Sequence, residues 1–150
     1  MKSIGVRQGS NQPELIERQK PEISPNCVLV RTVALGICGT DRDILASGKP
    51  RTPPGESYLI LGHEAVGQVQ AIGEGVTEFR QGDFVAPSVR RPNSDEPLPY
   101  RLDLAAWDEF TERGIYFQHG FSAEYWLESP KHLHHVPIGL ESFAMLTYLW

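Results

Sequence analysis

The sequence predicts a mainly β protein with short helices. Two segments, 27–35 and 59–72, alternate along their length and are rich in β-branched side chains, which suit a pleated and half-buried sheet. The chain also contains 14 glycines and 12 prolines, and this many turn-forming residues favours short strands joined by turns. A length of 150 residues fits a single domain.

The other predicted elements are shorter. Segment 12–25 is polar and contains three prolines, so it predicts a loop or an edge strand. A helix is predicted at 41–47, with Thr40 as its N-cap and Gly48 as its end. Segment 89–114 shows no steady period and is longer than ordinary connections, which is typical of a functional or mobile loop. Further strands are predicted at 3–7, 83–88, 121–127 and 133–136, and a final helix at 141–150.

Composition excludes several classes of function. The net charge of −5 argues against non-specific binding of nucleic acid or of anionic membranes. No apolar run approaches the roughly 20 residues of a membrane span, and the first residues lack the apolar core of a signal peptide. Two cysteines are too few for a disulfide scaffold, so we expect a reduced, cytoplasmic protein.

The strongest chemical signal is a thiol and an imidazole that are both framed by glycine. Cys38 lies between Gly36 and Gly39, at a predicted strand-to-helix turn whose amides favour a thiolate, while His63 and Glu64 follow Gly62. Cysteine, histidine and glutamate are ligands that Zn²⁺ accepts, although an isolated cysteine is more often a buried apolar residue. Adjacent strand residues point to opposite faces, so Glu64 reaches the same ion only if the backbone bends at Gly62; otherwise it orients a ligand.

Two other patterns predict no site. Gly73-Glu74-Gly75 begins like a dinucleotide fingerprint, but the third glycine and the following helix are missing, so we interpret it as a β-turn. His132, His134 and His135 have no cysteine or acid at a spacing that completes a metal site, which favours an exposed strand.

The order of these motifs resembles the zinc-dependent medium-chain dehydrogenases, over nearly the whole chain, as their N-terminal GroES-like catalytic domain. The motifs are Gly-Ile-Cys-Gly-Thr-Asp, Leu-Gly-His-Glu-Ala-Val-Gly, Gly-Asp-Phe-Val and His-Gly-Phe-Ser-Ala-Glu-Tyr. Segments 88–92 and 112–115 are similar to archaeal-type glucose (aldose) 1-dehydrogenases. The resemblance implies a partly open β-barrel and oxidation of a sugar or polyol hydroxyl, with hydride transfer to NAD(P).

The resemblance also implies roles for individual residues. Cys38 and His63 would bind one catalytic zinc ion, and Glu64 would bind it directly or through water. Thr40 would be the catalytic residue that accepts or passes the proton of the substrate hydroxyl. Glu112 would contact the hydroxyls of the sugar.

Three departures from the family limit these expectations. Segment 89–114 lacks the cysteines that hold a structural zinc in many relatives, so we expect none. A further glutamate near the metal would fall at about Thr147 or Tyr148, and neither is a carboxylate. The Rossmann domain is absent, so we predict a GroES-like domain at 1–139, the start of a helix leading into the missing cofactor-binding domain at 140–150, and no cofactor-binding residues.

The chain alone is therefore expected to be inactive, with a Rossmann domain supplied elsewhere in a longer or separate protein. One alternative is a non-catalytic GroES-like module that binds a metal or a partner, or a truncated remnant of a dehydrogenase. Another is a homo-oligomer that associates through the predicted helix at 143–150.

Overall fold

The structure is a computed structural model that describes residues 1–93, 105–137 and 139. Within these ranges the chain forms eleven β-strands, one α-helix, α1 (Gly39–Ser47), and a 3₁₀ turn at Pro130–His132. The strands are β1 (Lys2–Arg7), β2 (Glu14–Glu17), β3 (Val28–Gly36), β4 (Tyr58–Ile60), β5 (Glu64–Ile72), β6 (Phe84–Pro87), β7 (Arg90–Pro92), β8 (Phe110–Arg113), β9 (Phe117–Gln118), β10 (Tyr125–Glu128) and β11 (Leu133–His135). The prediction of a mainly β fold with short helices is confirmed.

The strands form three sheets. The largest has the order β10-β3-β5-β6-β11, and the smaller ones have the orders β2-β1-β4 and β7-β8-β9. All strand pairs are antiparallel except β8 with β9. The central β3–β5 ladder shifts register twice, between Leu29 and Val30 and between Thr32 and Ala34, and such irregularities bend a sheet.

The core lies against the five-stranded sheet. Alternate residues of β3 and β5, including Val28, Val30 and Val69, are fully buried together with Phe121 and packed against Trp126. Burial of each such side chain stabilises the fold by roughly 1.5–3 kcal/mol. The alternation that predicted β3 and β5 therefore corresponds to a real buried face.

The prediction of one strand over 59–72 was wrong. The segment forms β4 in the three-stranded sheet and β5 in the five-stranded sheet, and residues 61–63 connect them. Gly62 has a φ of 86°, a left-handed conformation that glycine adopts without steric cost. Of the two alternatives left open by the sequence, the one with a bend at Gly62 is present, and the bend passes the chain from one sheet to another.

The helix prediction was right in place and wrong in its N-cap. Cys38, rather than Thr40, is the N-cap residue, and α1 begins at Gly39. Gly48 ends the helix with a φ of 61°, and its amide donates a hydrogen bond to the carbonyl of Leu45 at 3.1 Å. The predicted end is confirmed.

Segment 89–114 contains β7 and β8 in its described part, which the absence of periodicity did not predict. Segment 121–127 is a strand only from Tyr125, because the amides of residues 121 and 122 donate hydrogen bonds to the 61–62 connection instead.

The predicted helix at 141–150, with its proposed role in self-association, lies outside the described residues. No helix in the described ranges has the length and apolar character needed to cross a membrane.

Three glycines from separate segments pack against each other next to His63. A Cβ atom on Gly120 would overlap the carbonyl oxygens of Leu61 and Gly62, and a Cβ on Gly114 would overlap the backbone of Gly62. The amides of Phe121 and Ser122 donate hydrogen bonds of 2.8 and 2.9 Å to the carbonyls of Gly62 and Leu61. Backbone contacts therefore hold the 61–63 connection in place, and they leave no room for a side chain at position 114 or 120.

His119 holds the neighbouring end of β4. The amide of Ile60 donates a hydrogen bond to Nδ1 of His119 at 3.2 Å, and the His119 ring stacks on Tyr58 with 5.1 Å between centroids. Burial, and next the charge of Arg18, lower the pKa of His119 to about 4, although Glu56 opposes this shift. The imidazole is therefore neutral at pH 7, which is the form that can accept a hydrogen bond at Nδ1.

We predict that Gly120→Ala lowers the free energy of unfolding by about 1–3 kcal/mol, because the added methyl group must displace backbone atoms. Gly39→Ala is the control, since nothing lies within 4 Å of a Cβ at that helical position; we expect it to change stability little or to increase it slightly. Urea unfolding followed by tryptophan fluorescence measures both. Equal destabilisation by the two variants would contradict the packing argument.

We predict that the free energy of unfolding falls as the pH falls from about 6.5 to 4. An unfolded histidine binds a proton near pH 6.5, whereas burial lowers the pKa of both His119 and His132 to about 4 in the folded chain. The unfolded state therefore binds more protons in this range, which costs about 1 kcal/mol per histidine after allowance for partial solvent exposure.

The variant His119→Asn isolates one of these contributions, since an amide oxygen can replace Nδ1 as acceptor and does not titrate. We expect a smaller loss of stability between pH 7 and pH 4.5 in this variant than in the wild type, in urea titrations at each pH. A loss equal to that of the wild type would exclude His119 as a contributor.

Candidate metal centre

The central ladder brings Cys38 and His63 together from distant parts of the sequence. Gly36 at the end of β3 pairs with Glu64 at the start of β5, so the residues just beyond these strand ends are neighbours. Cys38 lies two residues after Gly36, and His63 lies one residue before Glu64. The Sγ atom of Cys38 is 3.0 Å from Nε2 of His63.

Cys38 is fixed by the helix that it caps. Its Sγ accepts a hydrogen bond from the amide of Thr40 at 3.3 Å, and its own amide donates to Oδ2 of Asp41 at 3.0 Å. The two interactions form a capping box in which sulfur takes the usual place of a hydroxyl oxygen. The sulfur is therefore held in a fixed position at the N-terminus of the helix.

Asp41 is a member of this cluster that sequence reasoning missed. Its Oδ1 is 3.6 Å from Nδ1 of His63, and both atoms are buried without a hydrogen-bond partner among the described residues. A carboxylate behind a histidine is the common way of fixing the tautomer and orientation of a metal ligand. Its position three residues after Cys38 completes the capping box, but its contact with His63 depends on the tertiary fold.

Glu64 lies beside this cluster, over the end of β3. A Cβ atom on Gly36 would overlap Oε2 of Glu64, so the carboxylate occupies the space that the glycine leaves open. The described residues contain one group of three possible metal ligands with donor atoms within 4.8 Å of one another, and it consists of Cys38, Asp41 and His63. Direct binding of a metal by Glu64 stays a prediction.

Thr40 and Glu112 occupy different settings. Thr40 is half-buried in the first turn of α1, next to the sulfur that its amide contacts. Glu112 lies in β8 opposite Arg90, and its Oε1 accepts bonds of 2.8 Å from both Nε and Nη2 of Arg90. Its side chain is 11% exposed. The proton-transfer role of Thr40 and the sugar contact of Glu112 stay predictions.

The donor set fits zinc. A thiolate and an imidazole bound tetrahedrally at ordinary zinc distances would lie about 3.5 Å apart, so the pair needs to open by only about half an ångström. His63 is 8% exposed, and its second nitrogen faces Oδ1 of Asp41, an atom that has no hydrogen-bond partner among the described residues. A sulfur and an imidazole nitrogen, with a carboxylate behind the imidazole, are typical of a zinc site with room for further ligands.

The three histidines near the end of the described chain do not form such a group. Burial, and next the charge of Arg91, lower the pKa of His132 to about 4, while His134 and His135 are exposed. The Nε2 atom of His135 lies 3.0 Å from the carbonyl oxygen of Glu78, and its ring stacks on Phe79.

The chain is similar to known dehydrogenases over most of its length. The family model described as the alcohol dehydrogenase GroES-like domain matches residues 24–138. Glucose 1-dehydrogenase of Haloarcula marismortui is 40% identical over 150 residues, which are 97% of this chain and 42% of the relative. Glucose 1-dehydrogenase of Thermoproteus tenax is 38% identical and is likewise covered over 42% of its length.

A solved structure agrees with these relatives. Haloferax mediterranei glucose dehydrogenase in complex with NADP, Zn and gluconolactone is 37% identical and superposes with a TM-score of 0.86. The match covers 97% of this chain and 42% of that protein. The chain thus spans about two fifths of the length of the relatives that it matches. The resemblance inferred from the sequence motifs is confirmed, and the chain belongs to the alcohol dehydrogenase GroES-like domain family.

Proposed function

We propose that the chain is the catalytic domain of a zinc-dependent dehydrogenase that oxidises a sugar hydroxyl and transfers hydride to NAD(P), in the manner of glucose (aldose) 1-dehydrogenases. The observation that carries this proposal is the pair formed by Cys38 and His63, whose Sγ and Nε2 atoms are 3.0 Å apart beside a buried carboxylate. The similarity to a glucose dehydrogenase solved with NADP, Zn and gluconolactone supports the class of substrate and cofactor.

Cys38 and His63 would hold the metal, and Asp41 would keep the imidazole oriented from behind. Glu64, whose carboxylate lies against Gly36 at the end of β3, would bind the metal directly or through a water molecule. Zinc in such a site supplies Lewis-acid chemistry that makes a bound hydroxyl more acidic. Because α1 and the 61–63 connection fix the positions of the sulfur and the nitrogen, they would also fix where that hydroxyl binds.

Thr40 would accept or pass the hydroxyl proton, since it follows the metal-binding cysteine by two residues in the same helical turn. Glu112 would contact sugar hydroxyls through the part of its carboxylate that Arg90 leaves accessible. Such a contact would be charge-assisted and directional, which suits discrimination between sugars.

The nicotinamide cofactor would be bound by a region that corresponds to the remaining three fifths of the relatives, whether in one chain or in a separate one. No structural zinc is proposed, because both cysteines of the sequence lie outside segment 89–114. A cytoplasmic location and a homo-oligomer are part of the same proposal, by analogy with enzymes that reduce a soluble cofactor.

A second candidate is a module that binds a metal without catalysis. It is favoured by Thr147 and Tyr148, which stand where the relatives are expected to carry a further carboxylate. Metal binding is common to both candidates, so only turnover separates them.

We predict about one zinc ion per chain, as expected for a ligand set of the catalytic type. Cys38→Ser and His63→Ala should lose the metal, whereas Cys27→Ser should keep it and serves as the matched control. Elemental analysis of freshly purified protein measures the zinc content. Equal zinc in the Cys38 and Cys27 variants would contradict the assignment of the site.

We predict NADP⁺ reduction with aldoses when this chain is joined to the remaining three fifths of Haloferax mediterranei glucose dehydrogenase, and none with this chain alone. Thr40→Val in the joined protein should lower kcat by about 10²-fold, as expected for loss of a general acid–base group. Thr40→Ser is the control, because it keeps the hydroxyl. A joined protein that binds zinc and remains inactive would favour the non-catalytic module.

A further inference from the structure

Arg113 is a buried cation that neither the metal site nor the substrate contacts use. Its side chain is 19% exposed, and its Nε lies 3.8 Å from Oε2 of Glu128, too far for a hydrogen bond. The same Glu128 oxygen accepts a bond of 2.8 Å from Nη2 of Arg91. Burial lowers the pKa of the Arg113 guanidinium, and the charge of Glu128 opposes that shift.

A largely buried charge whose partner is distant lowers stability. The position of Arg113 therefore calls for an explanation other than stability. Replacement of such groups by apolar residues is often neutral or stabilising. The reason that the contacts suggest is its relation to Gly62, the residue before His63.

The backbone next to Arg113 contacts Gly62. It precedes Gly114, whose Cα approaches the Gly62 backbone so closely that no Cβ could fit. The amide of Arg113 is bonded to the carbonyl of Val89 at 3.1 Å, and the amide of Gly114 to the carbonyl of Gln118 at 2.9 Å. Hydrogen bonds from both amides therefore hold the backbone of Arg113 and Gly114, which lies against Gly62.

The side chain of Arg113 also acts on Gly62, through Phe121. The guanidinium lies over the ring of Phe121, 4.6 Å from its centroid, and the amide of Phe121 donates the 2.8 Å hydrogen bond to the Gly62 carbonyl. A cation over an aromatic face is attracted by the ring quadrupole, more strongly where water is excluded. The two routes converge on one peptide unit, which is adjacent to the metal-binding imidazole.

We propose that Arg113 is a positioning residue for His63: it clamps Gly62 from two directions and so sets the distance between the imidazole and the Cys38 sulfur. The proposal deepens the proposed function and rests on it for the identity of the metal site. Glu128 has the role of keeping the guanidinium over Phe121, since it attracts the charge without forming a close bond that would pull it away.

Arg91 provides a matched control. It shares the Glu128 carboxylate and is more deeply buried, with a side chain 7% exposed, but its described hydrogen bonds and ion pairs do not involve Gly62, Gly114 or Phe121. Arg91→Gln and Arg113→Gln therefore disturb the same ion-pair group. Only the second removes the cation that lies over Phe121.

The test uses the Cys27→Ser background, in which Cys38 is the one thiol, and two measurements. The first is the rate of Cys38 alkylation by iodoacetamide at fixed pH in metal-free protein. The second is the affinity for Co²⁺, measured from the thiolate-to-cobalt absorption. Arg113→Gln should slow alkylation about threefold or more, because His63 Nε2, now 3.0 Å from Sγ, would no longer be placed to accept the thiol proton as the sulfur reacts. It should also weaken Co²⁺ binding about 10- to 100-fold.

Arg91→Gln should leave both quantities within about twofold of the parent protein. Arg113→Lys, which keeps the charge without the planar stacking, should give intermediate values and carries the test if Arg113→Gln does not fold. Equal effects in the Arg113 and Arg91 variants would overturn the proposal, as would failure of both Arg113 variants to fold while Arg91→Gln folds.

The two proposals fail in different ways. A parent protein that binds no Co²⁺ but shows the difference in alkylation would overturn the metal function and leave the positioning role in place. Tight Co²⁺ binding in the parent with no difference between the Arg113 and Arg91 variants would overturn the positioning role alone.

Discussion

The left-handed backbone at Gly62 is the constraint on which the site depends. Residues 61–63 connect one sheet to another and also place the His63 imidazole against the Cys38 sulfur, just beyond the end of the neighbouring strand β3. A residue with a Cβ atom would meet Ser122 at 2.8 Å and would also resist the positive φ. Because the turn carries no side chain, Gly114 and Gly120 can approach it and hold it by backbone contact alone.

Cys38 shows how one side chain can serve the fold and the chemistry together. As the N-cap of α1 it accepts a hydrogen bond from a helix amide, and its Sγ also lies 3.0 Å from Nε2 of His63. The aspartate that completes the capping box also reaches the imidazole. The start of the helix therefore organises the ligands before any metal is bound, which lowers the cost of ordering them on binding.

Much of the fold could be predicted from the sequence, and the failures have physical causes. Alternation predicted β3, in which Val28 and Val30 on one face are fully buried, and the glycine at position 62 indicated where the chain could bend. Thr40 was chosen as N-cap from the usual preference for hydroxyl side chains, which does not include a cysteine sulfur. The role of Asp41 could not be predicted because it depends on a tertiary contact with His63 rather than on local spacing.

The β7–β8–β9 sheet explains the largest failure of the periodicity argument, because charged side chains form ion pairs from its described strands. Arg90 pairs with Glu112 across β7 and β8, and Arg91 pairs with Glu128 in the central sheet. Charged side chains thus occupy positions that an alternating pattern would give to apolar ones, so these strands are invisible to a search for hydrophobic alternation. An aromatic group, Trp107, Phe110 and Tyr116, covers the same sheet. Ion pairs that are directional and partly buried fix orientation more than they add stability, which suits a segment whose Gly114 contacts the backbone of Gly62.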